Sequence, residues 1–225
     1  MIKKTILSFL FYMMSALGIS LTIKADIGVS SFNSLNVAVA ELFDIKIGTV
    51  TGIINGLFLI TSYFLDKRKS FRDYTLMVFS VLFLGYAINF FVYDIFIDLL
   101  FSNYIMKIVV FIMGTCIAGF GTGRIIHFGI LIFPIEKFCQ LMSSLTSRKF
   151  SNYRYGIDII CVTLSVLISI VFHQPIVVRE GTIISLVLLS YIILLGEVNK
   201  IVVGIQVLSM IRIVVSTILF YKMIF

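Results

Sequence analysis

Charged and amide side chains are scarce in this chain, and those placed away from the ends of its apolar runs are the ones able to do chemistry. Arg212 stands midway along the run 201–221, where its stem is too short to bring the guanidinium to an interface. Glu136 follows Pro134 in a short striped stretch, Asp158 lies at the start of the run 155–172, and Asn33 and Asn55 sit within or beside apolar segments. Ionisable groups at membrane depth are costly and mark functional sites by default. Arg212, Glu136, Asn33, Asn55 and Asp158 therefore form the expected solute-binding set, with Arg212, Glu136 and Asn33 facing a central cavity. Each has a plainer reading beside it. Arg212 would be a structural partner of Asp158 or Glu136, Asp158 a boundary charge close after Arg154, and Glu136 with Lys137 a solvated face. Asn33 and Asn55 would hold neighbouring spans together, and Asp26 would cap a short helix.

Other chemistries lack their signatures. His127 and His173 lie far apart with no Cys or second His at ligand spacing, so no metal is expected. GxSxG, HExxH, Walker A and CxxC patterns are absent, so the expectation is no catalytic residue, no enzyme activity and no cofactor. Cys116, Cys139 and Cys161 are odd in number and scattered among apolar residues, which suits packing thiols better than a disulfide framework. The net charge of +7 resides in short basic connections beside apolar runs. Membrane topology accounts for it, and no nucleic-acid partner is expected.

The elements that must position these residues are membrane spans. Hydrophobic residues make up 60% of the chain and charged residues 13%, against about 25% charged in a soluble domain. Mean hydropathy is +1.13. Runs near the length that crosses a bilayer occupy 5–23, 47–65, 75–93, 105–123, 155–172, 182–196 and 201–221. The first follows Lys3 and Lys4 but has no small-residue cleavage site, so it is read as a retained span. Two prolines and no low-complexity tract imply a single membrane domain over 1–225.

Loop charge sets the expected topology. Lys67, Arg68, Lys69 and Arg72 crowd one connection and should share the cytoplasmic side with Lys3 and Lys4. That requires two crossings between them, so residues 26–45 should dip in and return. The same scheme places Arg148, Lys149 and Arg154 inside, and Lys24, Lys46, Lys107, Arg179 and Lys222 outside, with a cytoplasmic N-terminus.

The dipping stretch has a counterpart at 130–147. "GISLTIKADIGVSSF" from Gly18 and "GFGTGRIIHFGILIF" from Gly119 share the spacing of Gly28 and Phe32 with Gly129 and Phe133. Halves 5–98 and 105–196 then form inverted repeats, with 201–221 as an extra span. The fold class expected is an all-α integral membrane protein of six to seven transmembrane helices, each half carrying a short re-entrant or interfacial helix. Phe32, Leu35, Val39 and Leu42 stripe the first short helix, and Ile135, Phe138, Met142 and Leu145 the second. Gly28 and Gly129 would permit sharp turns, while Ser30 or Ser31 and Pro134 suit helix starts. Helix N-termini aimed inward would make a partly positive site. The alternative is that both short helices lie flat at the interface. Gly119 and Gly123, with Gly121 between them, read as close helix packing.

"GVSSFNSLNVAVAELF", "IGTVTGIINGLFL" and "GTIISLVLL" resemble the bacterial membrane proteins grouped as YitT/YczE, with Tyr74 and Thr75 where relatives often carry Gly-Thr. The resemblance implies a multi-pass protein of the bacterial cytoplasmic membrane, without an established reaction. Two functions are weighed: a transporter of a small solute or lipid-linked group by alternating access, and a non-transporting accessory protein of another membrane complex. Expected partners are the lipid bilayer and a small solute or lipid head group, with homo-oligomerisation left open.

Overall fold

The structure is a computed structural model that describes residues 2–67, 70–129 and 131–198. The run 201–221, and Arg212 with it, lies outside the described residues. Among the described residues eight α-helices follow in order: α1 (Ile2–Ala25), α2 (Ser31–Phe43), α3 (Ile47–Leu65), α4 (Phe71–Asn89), α5 (Tyr104–Phe128), α6 (Pro134–Thr146), α7 (Phe150–Val171) and α8 (Glu180–Val198). A π-helical stretch, Phe90–Ile95, continues α4. No strand occurs among the described residues. Among the described residues five helices are long and apolar enough to cross a bilayer: Thr5–Ala25, Ile47–Leu65, Phe71–Ile95, Tyr104–Phe128 and Phe150–Val171.

Helix α2 and helix α6 are different. Each has 13 residues, a rise of about 20 Å that falls short of a hydrocarbon core of about 30 Å. Gly28 has φ +110°, and a Cβ there would stand 3.0 Å from the Thr182 hydroxyl and 3.1 Å from its backbone nitrogen. Ser30 is then the extended residue before α2. Gly129 ends α5 at φ +65°, and Pro134 takes the first turn of α6, where its missing N–H and fixed φ cost nothing. Asp26 does not cap α2. It lies at φ 52° and its carboxylate accepts from Lys107 and Arg179.

The chain leaves α1 and starts α3 at one end of the bundle. Lys24 Nζ donates to the Ile97 carbonyl at 3.5 Å, the Ile47 N–H to Tyr93 Oη at 3.2 Å, and the Gly48 N–H to Asn89 Oδ1 at 2.8 Å. All three acceptors belong to the last turns of α4 and the segment after it. The residues that flank α2 on either side therefore reach one and the same stretch, 89–97.

Packing crosses between the two halves. Helix α1 lies along α5, α4 also packs on α1 and α8 on α5, while α2 packs on α7 and α3 on α6. Tyr12, Leu21, Ile88, Phe111, Ile117 and Ile125 fill the core among α1, α4 and α5. The tight approach needs small residues. A Cβ on Gly121 would strike Ser15 and the Phe11 carbonyl of α1, and one on Gly119 would stand 3.0 Å from Ile192 of α8, so the Gly-rich end of α5 is a packing surface. Large apolar side chains face outward, Phe64 77% and Phe71 81% exposed. In water such a surface would associate; lipid suits it.

Candidate functional site

The polar stripe of α2 points into the protein, whereas on α6 Glu136 is buried and Gln140 is exposed. On α2, Asn33, Ser34 and Asn36 are buried while Phe32, Leu35 and Val39 are only partly so. Ser165 of α7 donates to the Ser34 carbonyl at 3.0 Å, and Asn36 Nδ2 reaches Asn33 Oδ1 at 3.4 Å. A helix lying flat at an interface turns its polar face to water. Burial of that face inside protein is the arrangement that lets a short helix persist at depth.

The first turns of α2 and α6 open on shared space. A cavity of about 610 Å³ is bounded on its polar side by Ser30, Ser31, Glu136, Gln140, Arg154 and Asp158, and on its apolar side by Ile126, Leu189 and Ile193. A smaller cavity of about 80 Å³ adjoins it, where Ser30 and, on α2, Asn33 meet Phe133, Ile135 and Glu136 beside Thr51 and Asn55 of α3. Glu136, Arg154 and Ser30 border both.

Three ions tie these walls together. Arg154 Nη1 donates to Asp158 Oδ1 at 2.8 Å along one face of α7, and Arg154 Nε stands 3.8 Å from Glu136 Oε1 on α6. The Glu136 side chain is 8% exposed. Its other oxygen, Oε2, has no hydrogen-bond partner among the described residues. Among the described residues two carboxylates thus share one guanidinium in a confined place, where charges act on one another with far less screening than in water.

Sequence comparison gives this arrangement a family. Residues 2–197 match a family of unknown function, DUF6198. The chain belongs to DUF6198. It is also similar to the uncharacterized protein YyaS of Bacillus subtilis strain 168, at 23% identity over 161 residues that cover 72% of this chain and 77% of YyaS. No solved structure matches it significantly.

In this DUF6198 chain the structure gathers Glu136, Asp158, Asn33 and Asn55 around the two cavities. Gly28 and Gly129 lie in the turns that precede α2 and α6, both at positive φ. The pairing of Arg212 with Asp158 or Glu136 falls outside the described residues; Arg154 holds both carboxylates. Glu136 and Lys137 do not form one solvated face, because Glu136 is buried while Lys137 pairs with Asp66 at 3.3 Å. Arg154 is the residue that sequence reasoning missed as a site. Its i, i+4 spacing to Asp158 was the available signal.

Proposed function

We propose that this protein is a transporter of a small solute or a lipid-linked group, working by alternating access in the bacterial cytoplasmic membrane, with its N-terminus cytoplasmic. The observation that carries this reading is the convergence of two short helix N-termini on one cavity that also holds the Glu136, Arg154 and Asp158 ions. Broken elements meeting at an internal site are how inverted-repeat transporters bind substrate.

We read α1 to α4 and α5 to α8 as inverted repeats, with α2 and α6 re-entrant and a further span beyond α8. Three features support it. The order long, short, long, long occurs twice. Each short helix packs on the helix that follows the short helix of the other half, α2 on α7 and α6 on α3. Helix α2 also starts and ends toward the same end of the bundle. Likeness to the YitT/YczE proteins at the glycines and small polar residues of "GVSSFNSLNVAVAELF", "IGTVTGIINGLFL" and "GTIISLVLL" is part of the same reading.

The cavity suits an amphiphilic solute. Its hydroxyls and ions recognise a polar head, the partial positive charge of the α2 and α6 first turns balances acidic groups in that head, and Ile126, Leu189 and Ile193 take an apolar body. An accessory protein would need no such space, and the cavity supports the transport reading over it. Arg212 stays in the proposed binding set.

The test is a thermal-shift screen of the purified protein against metabolites and lipid head groups, followed by flux of each hit in proteoliposomes. Arg154→Ala and Arg212→Ala should each abolish flux; hits that stabilise the protein without being moved would favour the accessory role. Single cysteines at Lys24 and Lys46, in a background lacking the native three, should be labelled from the same face; opposite faces would overturn re-entry.

A further inference from the structure

We infer that the smaller cavity is a binding site for one small monovalent cation, of the size of Na+, which rests on the transport reading by giving that site its coupling ion. The hydrogen-bond inventory of the walls leads there. Thr51, Thr115 and Thr122 each donate their hydroxyl hydrogen to a carbonyl of their own helix, those of Ile47, Phe111 and Ala118, at 2.9 Å. A hydroxyl whose proton is committed offers its neighbours only lone pairs.

Asn55 extends the pattern. Its Nδ2 donates to the Thr51 carbonyl at 2.9 Å, and since a carbonyl cannot accept from an oxygen, the amide orientation is fixed with Oδ1 on the other side. Asn55 is 2% exposed, and Oδ1 has no hydrogen-bond partner among the described residues. Glu136 Oε2 on the same cavity is also without one. Two orphaned, deeply buried acceptors bordering a largely apolar space of about 80 Å³ each carry the desolvation cost of an unmade bond.

Water could satisfy them, because the space exceeds what one water needs. Charge distinguishes the two occupants. Among the described residues Arg154 is shared by two carboxylates, so with both ionised the cluster carries one net negative charge, which a single monovalent cation would neutralise. The ligands are hydroxyl, amide and carboxylate oxygens, hard donors of the kind that suit hard cations. The Arg154 guanidinium also borders the space but is turned to its carboxylates at 2.8 and 3.8 Å.

The experiment uses the full chain in detergent, with no transport assay, so its result is independent of whether the protein moves a solute. Thermal unfolding is followed in sodium chloride, potassium chloride and choline chloride at equal ionic strength, and sodium titration calorimetry gives the stoichiometry. A saturable rise of the midpoint in sodium alone, with one ion per chain, is expected. Asn55→Ala should weaken the apparent sodium affinity at least about tenfold, the equivalent of one lost ligand interaction. Thr115→Val preserves shape and should fold if Asn55→Ala does not; it should weaken affinity in the same direction. Equal behaviour of the wild-type chain in all three salts would assign the cavity to water and overturn the proposal, as would a sodium response untouched by either substitution.

Discussion

Arg154 and Asp26 each sit between two ions of opposite charge, and only Arg154 does so away from water. Arg154 bridges Glu136 and Asp158, whose side chains are 8% and 13% exposed. Asp26 bridges Lys107 at 3.1 Å and Arg179 at 3.3 Å while 68% exposed itself. Similar distances therefore mean different things. Around Asp26 the solvent does most of the screening and each pair is worth about 0 to 1 kcal/mol. Around Arg154 the ions have lost their hydration, and taking one partner away strands the others. An arrangement that costly to build is what the proposed binding site rests on; the exposed one serves to tie the 26–28 turn to α5 and α8, a tie reinforced by the Gly181 N–H donating to the Ile27 carbonyl at 2.8 Å.

The sharpest way to break this contrast is Arg154→Met, which keeps the stem and deletes the charge. Two buried carboxylates then face each other, and a loss of about 3 to 5 kcal/mol is expected, read as a lower melting temperature in detergent. Adding Glu136→Gln should recover part of it, because one of the stranded charges is gone. An Arg154→Met protein that melts like the wild type would mean the cluster is hydrated after all.

Gly28→Ala comes next. Gly28 lies in sequence two residues beyond Asp26 and two before Ser30, which borders both cavities. With φ at +110° and Thr182 closing on the Cβ position, a side chain is both strained and crowded, for about 1 to 3 kcal/mol. Gly129→Ala should cost less, because at φ +65° the nearest atom is 3.9 Å away and only the left-handed penalty of about 1 to 2 kcal/mol remains. Equal losses at the two glycines would show that crowding by α8 does not matter.

What the sequence could tell was set by what periodicity can and cannot encode. Long apolar runs between charges announce spans, and the run 182–196 falls inside α8. Striping with Ser, Gly and Pro at the start announced α2 and α6 as short helices. Periodicity gives the angle between the two faces of a helix but does not say which one is inside, so the burial of Asn33 and Asn36 needed the fold. Arg154 was hidden for a related reason. Counting basic residues by loop treats it as a loop charge beside Arg148 and Lys149, whereas α7 begins at Phe150, which puts Arg154 one turn inside the helix and aims it at Glu136 on another element.

The smallest effect is expected at Asp26, and it completes the comparison because its size depends on salt. Asp26→Asn keeps the volume and the acceptor oxygen while removing the charge, so Lys107 and Arg179 lose only Coulomb attraction. At low ionic strength the melting temperature should fall by an amount corresponding to about 1 kcal/mol or less. At 1 M salt, where the Debye length is about 3 Å, the difference from wild type should vanish. With choline chloride as the salt, the Arg154→Met loss should persist at both concentrations, since a pair buried between α6 and α7 is screened much less than an exposed one. If the two substitutions respond to salt alike, the clusters share one environment and the assignment of the buried one as the binding site loses its physical basis.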